Sequence, residues 1–331
     1  MIDLHLHLDG SLTAGDVLDY AAQQGIPLPA NDERELEALL EAPQSRGSLN
    51  DYLKRFDLPL LVLQTQAALC DSVYRLSGRL AAQGIIYAEI RFAPQLHIRG
   101  GLTMEQVCAA ACEGLAKAQA DFTAFKAQLI LCCMRGTNAA YNKKTVALAA
   151  RFRDKGVCAV DLAGAEALYT TVDYAGVFAY ARELQIPFTI HAGEAAGPES
   201  IRAAIAFGAA RIGHGVRAAE DEALVLKLAE SGIPLECCPT SNVQTGAVPG
   251  LRAHPIINLL ERGVRVTVNT DNMTVSGTTI KKEFESLKRH LGMTRGQEKQ
   301  LLLNSVSAAF LPEEEKQGLR RHVLEALAKA K

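Results

Sequence analysis

Two hydrophobic rhythms alternate along the chain. Short apolar and β-branched runs are followed by longer stretches in which apolar positions recur every three or four residues, the pattern of buried parallel strands joined by amphipathic helices. Eight strand-like runs stand out: Ile2–Leu8, Ile85–Phe92, Ala127–Met134, Val157–Leu162, Ile186–His191, Ala210–His214, Ile233–Cys238 and Val264–Thr270. Between them, Thr13–Gln24 reads as a helix opened by a capping box of Thr13 and Asp16 and stopped by Gly25; Thr103–Ala120 reads as one opened by Thr103 and Gln106. Eight strands in βα alternation predict an α/β fold, a TIM (β/α)8 barrel, with a doubly wound open sheet as the alternative.

A bare barrel takes about 250 residues, and this chain has 331. Two segments hold the excess. Residues 27–66 read as a helical insertion between the helix of the first strand and the second strand, and residues 278–331 as extra C-terminal helices. The last helix has Pro312 near its start, Glu313 to Glu315 in its first turn and Lys329 and Lys331 at its end, in keeping with the helix dipole. No linker-like or low-complexity stretch interrupts the rhythm, so residues 1–331 are expected to form one domain.

Charge narrows the partners. A net charge of −2 and a pI near 6.5 favour neither nucleic acid nor an anionic membrane. The longest stretch without Asp, Glu, Lys or Arg, residues 237–251, carries two prolines and two glycines, so no membrane span is expected. An acidic residue at position 3 and the lack of a basic leader predict no signal peptide. Eight cysteines without C-x-x-C spacing read as free thiols in a reducing cytoplasm.

Barrel enzymes carry their chemistry at the C-terminal ends of strands, and here those ends are unusually polar. His5 and His7, two apart on a strand, face the same side. Alone, such a pair fits two half-buried histidines as well as two ligands of one metal. His191 and Asp271 end two other strands, and three imidazoles with one carboxylate make an N/O set suited to a catalytic Zn²⁺. Glu194, just past a strand, can reach over such an ion or simply serve as a helix N-terminal carboxylate. His214 lies between two glycines, beside a ligand or packed in a loop. His97, His254, His290 and His322 have no such company, and Arg91 is expected to form a structural ion pair with Glu89 or Asp161.

The ordered set resembles the adenosine deaminase family of metal-dependent hydrolases. The matching segments are His5-Leu-His-Leu-Asp-Gly-Ser11, Tyr87-Ala-Glu-Ile-Arg-Phe-Ala-Pro94, Asp161-Leu-Ala-Gly164, His191-Ala-Gly-Glu194, Ile212-Gly-His-Gly215, Cys238-Pro-Thr-Ser-Asn242 and Asn269-Thr-Asp271. The resemblance implies one Zn²⁺ per chain on His5, His7, His191 and Asp271, and deamination of adenosine or 2′-deoxyadenosine. It implies Glu194 as proton donor to purine N1 and His214 as the group that orients or deprotonates the attacking water. Gly164 would meet N3 through its backbone and Asp9 the ribose 5′-hydroxyl, with His7 also at the substrate and Phe56 and Leu58 as an apolar lid.

Two positions depart from the family pattern: Asn272-Met273 stand where an Asp-Pro pair is common, and Ala165 where an acidic residue is usual. Asn272 would meet purine N7 as an amide donor, so the departure bears on substrate rather than reaction. The rival substrates are adenine or a modified adenosine. A binuclear hydrolase would want a carboxylated lysine at the end of the fourth strand, and Val160-Asp-Leu-Ala-Gly164 has no lysine. A catalytically silent zinc or nucleoside-binding protein would need neither Glu194 nor His214.

Overall fold

The structure is a computed structural model and describes residues 1–43 and 47–329. Its eight strands are β1 (Ile2–His7), β2 (Tyr87–Phe92), β3 (Lys126–Met134), β4 (Val157–Ala163), β5 (Thr189–Ala192), β6 (Arg211–His214), β7 (Leu235–Cys237) and β8 (Val266–Val268). They pair in parallel and in chain order within two four-stranded halves, β1–β4 and β5–β8. Two single bridges join the halves: Val160 with Phe188, and Leu6 with Asp271. At the second seam the His7 amide donates to the Asp271 carbonyl at 2.7 Å and the Asp271 amide to the His5 carbonyl at 2.8 Å. The ring is therefore closed, which removes the open-sheet alternative.

Several strands start later than their apolar runs, for one physical reason. Ile85, Ile186 and Val264 each follow a residue in the left-handed region, Gly84, Gln185 and Gly263. Each sends its amide back to a carbonyl five residues earlier, Leu80, Ala181 and Leu259 respectively. These are helix C-caps: the apolar side chain packs inward while the backbone still belongs to the helix it ends.

Both expected capping boxes form, at the helices Ala14–Gln24 and Met104–Asp121, and Gly25 ends the first with φ 64°. The insertion contains the helices Glu33–Leu40, Leu49–Leu53 and Asp57–Val62, and a long helix, Gln66–Ala82, then leads into β2. That helix crosses Met104–Asp121 so closely that a Cβ on Gly114 would lie 2.1 Å from the Cys70 carbonyl oxygen, and only glycine fits there.

The C-terminal helices are Ile280–Leu291, Arg295–Ala308 and Glu313–Lys329; Lys331 lies outside the described residues. The second closes the barrel floor. Asn304 donates to the Val266 carbonyl at 2.8 Å, and the Ala308 carbonyl accepts from Arg211 at 2.8 Å. Just inside the floor lies a buried ionic ladder. Arg91 meets Asp161 and Glu236, each at 3.0 Å, and Arg211 meets Glu89 and Glu236, each at 2.5 Å. The expected Arg91–Asp161 pair thus forms, whereas Glu89 belongs to Arg211. One apolar cluster runs from Ile2 to Val323 around this barrel. Among the described residues no helix is long and apolar enough to cross a membrane.

Candidate active site

All the polar strand ends meet at one mouth of the barrel. His5 and His7 come from β1, His191 from β5 and His214 from β6, and Asp271 lies just after β8. Nε2 of His7 is 3.3 Å from Nε2 of His191, and Oδ1 of Asp271 is 3.4 Å from Nε2 of His5 and 3.5 Å from Nε2 of His7. Two ring nitrogens 3.3 Å apart, with His5 Nε2 buried and without a hydrogen-bond partner, are poorly served by each other. They suit a shared cation: donors bound at about 2.0–2.2 Å in a tetrahedron stand roughly 3.3–3.6 Å apart. The nearby His214 also brings a ring nitrogen within 4.8 Å of donor atoms on His5, His191 and Asp271, so the described residues contain a metal-binding cluster.

Carboxylates behind the cluster fix its rings. Glu236 stands 2.8 Å from Nδ1 of His5, Asp161 stands 2.8 Å from Nδ1 of His191, and Ser241 donates to Asp271 at 2.6 Å. Each ring nitrogen held this way leaves the other aimed at the centre. Burial alone would lift the Asp161 carboxyl, but His191 and Arg91 outweigh it and hold it below the usual carboxylate range. Glu236 was not anticipated from sequence. It lies inside a short apolar strand, where only the pairing of β7 with β6 and β8 reveals that it faces the barrel axis.

His214 is held from the other side. Its φ is +59°, and Asp271 has φ +60°, a region that non-glycine residues seldom occupy and that clusters at functional sites. A Cβ on Gly213 would lie 3.1 Å from the His191 Cα, so glycine lets β6 approach the cluster. Asn242 Oδ1 accepts from the backbone amide of Cys238 at 3.2 Å, which orients its amide so that Nδ2 donates to Nδ1 of His214 at 3.0 Å. His254 completes the chain: its Nδ1 accepts from the Ile256 amide at 3.2 Å, leaving Nε2 to donate to Asn242 Oδ1 at 3.2 Å. Burial, with the charge of His5, holds the His214 imidazole well below its usual range, hence neutral. With Nδ1 accepting, its proton resides on Nε2. His254, expected to have no functional company, is therefore two hydrogen bonds from His214.

Glu194 faces this Nε2, with Oε2 at 3.6 Å and with Oε1 buried and unpartnered. Burial, reinforced by the Asp271 carboxylate, pushes its pKa up to about 8, so near neutrality it holds a proton. Its backbone is gripped by Glu166, a residue the sequence reading passed over in favour of Ala165 beside it.

A cavity of about 240 Å³ opens over these groups, bordered by His7, Asp9, Gly164, His191, Glu194, His214, Asp271 and Asn272. Burial raises the Asp9 carboxyl to about 6. Gly164 has φ 103°, and Asn272 is 2% exposed, its Oδ1 so close to Gly10 that a Cβ there would meet it at 1.8 Å. The far wall comes from the insertion: Leu49, Tyr52, Leu53, Phe56 and Leu60. Phe56 was anticipated. Leu58 lies instead in a separate surface recess, because Leu49, Tyr52, Leu53, Phe56 and Leu60 share one helical face and Leu58 points away from it. That spacing was the signal available in the sequence for the other four.

Comparison with known proteins places this arrangement. The model of the adenosine deaminase family matches residues 1–326. An adenosine deaminase from Haemophilus ducreyi is 48% identical over 327 residues, covering 98% of this chain and 95% of its own. Among solved structures, an adenine deaminase from Arthrobacter aurescens superposes with a TM-score of 0.91 at 28% identity, covering 99% of this chain and 98% of its own. An amidohydrolase from Burkhoderia ambifaria, solved with bound zinc, shares the fold at a TM-score of 0.89 and 21% identity, covering 99% and 90%. The chain belongs to the adenosine deaminase family, hydrolases of the C–N bond in cyclic amidines.

Proposed function

We propose that this protein hydrolyses adenosine, and 2′-deoxyadenosine, to the inosine nucleoside and ammonia, and that residues 1–331 act as a single domain. The observation that carries the reading is the meeting, at the base of one cavity, of three imidazoles and a carboxylate at metal-ligand spacing with the buried carboxyl of Glu194, 3.6 Å from His214. The large apolar cluster that runs from Ile2 to Val323 supports the one-domain reading.

The donor set of borderline nitrogens and one oxygen suits one Zn²⁺ on His5, His7, His191 and Asp271. When bound, such an ion supplies hydroxide near neutral pH by lowering the pKa of water toward about 7. This chain's own groups do the rest. Glu194 gives its proton to N1 of the purine, which makes C6 electron-poor enough for attack. His214 donates from Nε2 and so orients the attacking oxygen rather than taking its proton. Water adds at C6 and returns one proton to the Glu194 carboxylate, which passes it to the 6-amino group; the C6–N bond breaks, ammonia leaves, and loss of the remaining hydroxyl proton to Glu194 leaves an oxo group. Gly164 meets N3 through its backbone, Asp9 the 5′-hydroxyl, and the Asn272 amide donates to N7, with His7 bordering the same cavity.

A nucleoside fits this cavity better than a nucleotide. Arg135 is the one Lys or Arg among the described residues lining it, and both its terminal nitrogens donate to protein oxygens, those of Tyr169, Thr171 and His191. Asp9 at the wall favours a sugar hydroxyl over free adenine. Eight free cysteines, most of them buried, fit a reducing cytoplasm. The test is loss of absorbance at the adenosine maximum with stoichiometric ammonia release, alongside elemental analysis. One zinc per active chain is expected. Faster turnover of adenine or an adenosine monophosphate than of adenosine would reassign the substrate, and two metals per active chain would favour a binuclear hydrolase.

A further inference from the structure

Glu166 lies in the loop after β4, 2% exposed, and is not among the residues that border the cavity. Its carboxylate is nonetheless among the most heavily engaged groups of the protein. Oε1 accepts from the Gly193 amide at 2.7 Å and from the Ser200 hydroxyl at 2.5 Å. Oε2 accepts from the amides of Glu194, Ala195 and Ala196 at 3.0, 2.7 and 2.9 Å. Four consecutive backbone N–H groups thus converge on one side chain, a concave anion nest made possible by the left-handed Gly193 (φ 71°). Ser200 is itself fixed, since its oxygen lies 2.7 Å from Thr171 Oγ1, which accepts from Arg135 at 2.9 Å.

The segment so gripped contains Glu194 at its second position. Residues 193–196 form no strand or helix: β5 ends at Ala192, and the next helix, Pro198–Phe207, begins after them. Without Glu166 their four amides would have no acceptor of their own. Residue 194 would then be free to turn its side chain away from the cavity.

We infer that Glu166 is the positioning residue of the site: by binding the amides of residues 193–196 it fixes the backbone from which the Glu194 side chain borders the cavity. This rests on the reading of Glu194 as proton donor. The carboxylate is needed because five donors face it. A glutamine has one accepting atom, and its NH₂ would be turned against backbone N–H groups. The charge of Glu166 also adds to the effects that keep Glu194 protonated.

The test is a double-mutant cycle on the metal-loaded enzyme, with kcat expressed per zinc-bearing chain. Glu166→Gln is expected to lower kcat about tenfold or more while KM and the Kd for inosine change less than about threefold, because substrate contacts stay and proton delivery suffers. Ser200→Ala, which removes one of the five donors and leaves the nest, should lower kcat less and in the same direction. In a Glu194→Gln background, Glu166→Gln should cost nothing further, since both act through one group. An equal loss of kcat in both backgrounds would reduce Glu166 to a structural role, and full kcat in Glu166→Gln would overturn the inference outright. Lack of any deamination by the unaltered enzyme would instead remove the reading beneath it.

Discussion

At the scale of single residues, protonation and hydrogen-bond direction decide the roles. Glu194→Gln keeps the size of the side chain but has no acidic proton. It should retain zinc and inosine binding while losing roughly 10²–10⁴-fold in kcat, as measured by ammonia release and elemental analysis. Near-native turnover would take the proton-donor role from Glu194. His214 is a question of which nitrogen carries the proton. The Cys238 amide points Asn242 so that His214 Nδ1 accepts, which leaves Nε2 as donor. Asn242→Asp turns that neighbour into an acceptor and should draw the proton to Nδ1. We expect kcat to fall about tenfold or more, as for loss of one oriented donor, with a change in the ¹⁵N shifts of His214 reporting the tautomer. Unchanged shifts with unchanged kcat would show that Asn242 does not set it.

At the scale of elements, legibility followed how local the signal was. The capping boxes at Thr13 and Thr103 are contained within four residues each and formed as read. Strand starts were misplaced where an apolar residue such as Ile186 serves a helix cap, a choice made by the backbone and invisible in the side-chain pattern. The ligand-type residues were legible because they crowd at strand ends. Glu236, His254 and Glu166 were not, and Asn242 was read only as part of a segment without a role, because each acts through hydrogen bonds to another element: 231 positions separate His5 from Glu236. The insertion could have yielded more, since Leu49, Tyr52, Leu53, Phe56 and Leu60 repeat at helical spacing. They form the apolar wall of the cavity. Phe56→Ala should therefore raise KM for adenosine about tenfold by removing an aromatic contact of roughly 1–2 kcal/mol, with kcat altered much less. A fall in kcat at constant KM would mean that the wall acts on the chemical step instead.

At the scale of the whole molecule, buried titratable groups couple stability to pH, and the signs differ between them. His97 and His254 are held neutral by burial, with pKa values lowered to about 4 and about 3, so the stability tied to them is lost as pH falls below the ordinary histidine range. Glu283 works the other way. It sits in the helix Ile280–Leu291, 1% exposed, accepting from the Thr240 amide at 3.1 Å and from the Thr278 hydroxyl at 2.5 Å, and burial raises its pKa to about 7. Its folded pKa lies above the unfolded value of 4.5, so the native state binds the extra proton between these limits. Stability from this group therefore falls as pH rises from 4.5 to about 7 and stays lower above that. Glu283→Gln keeps an acceptor for the Thr240 amide, lets the Thr278 hydroxyl turn to accept, and removes the titration. The variant should be more stable than the unaltered protein at pH 8, by on the order of 1–3 kcal/mol, and nearly equal to it at about pH 4.5. Taking the difference between the two proteins at each pH cancels the histidines, which they share. Denaturant unfolding across that range checks it, and a stability difference independent of pH would show that Glu283 does not titrate in this window.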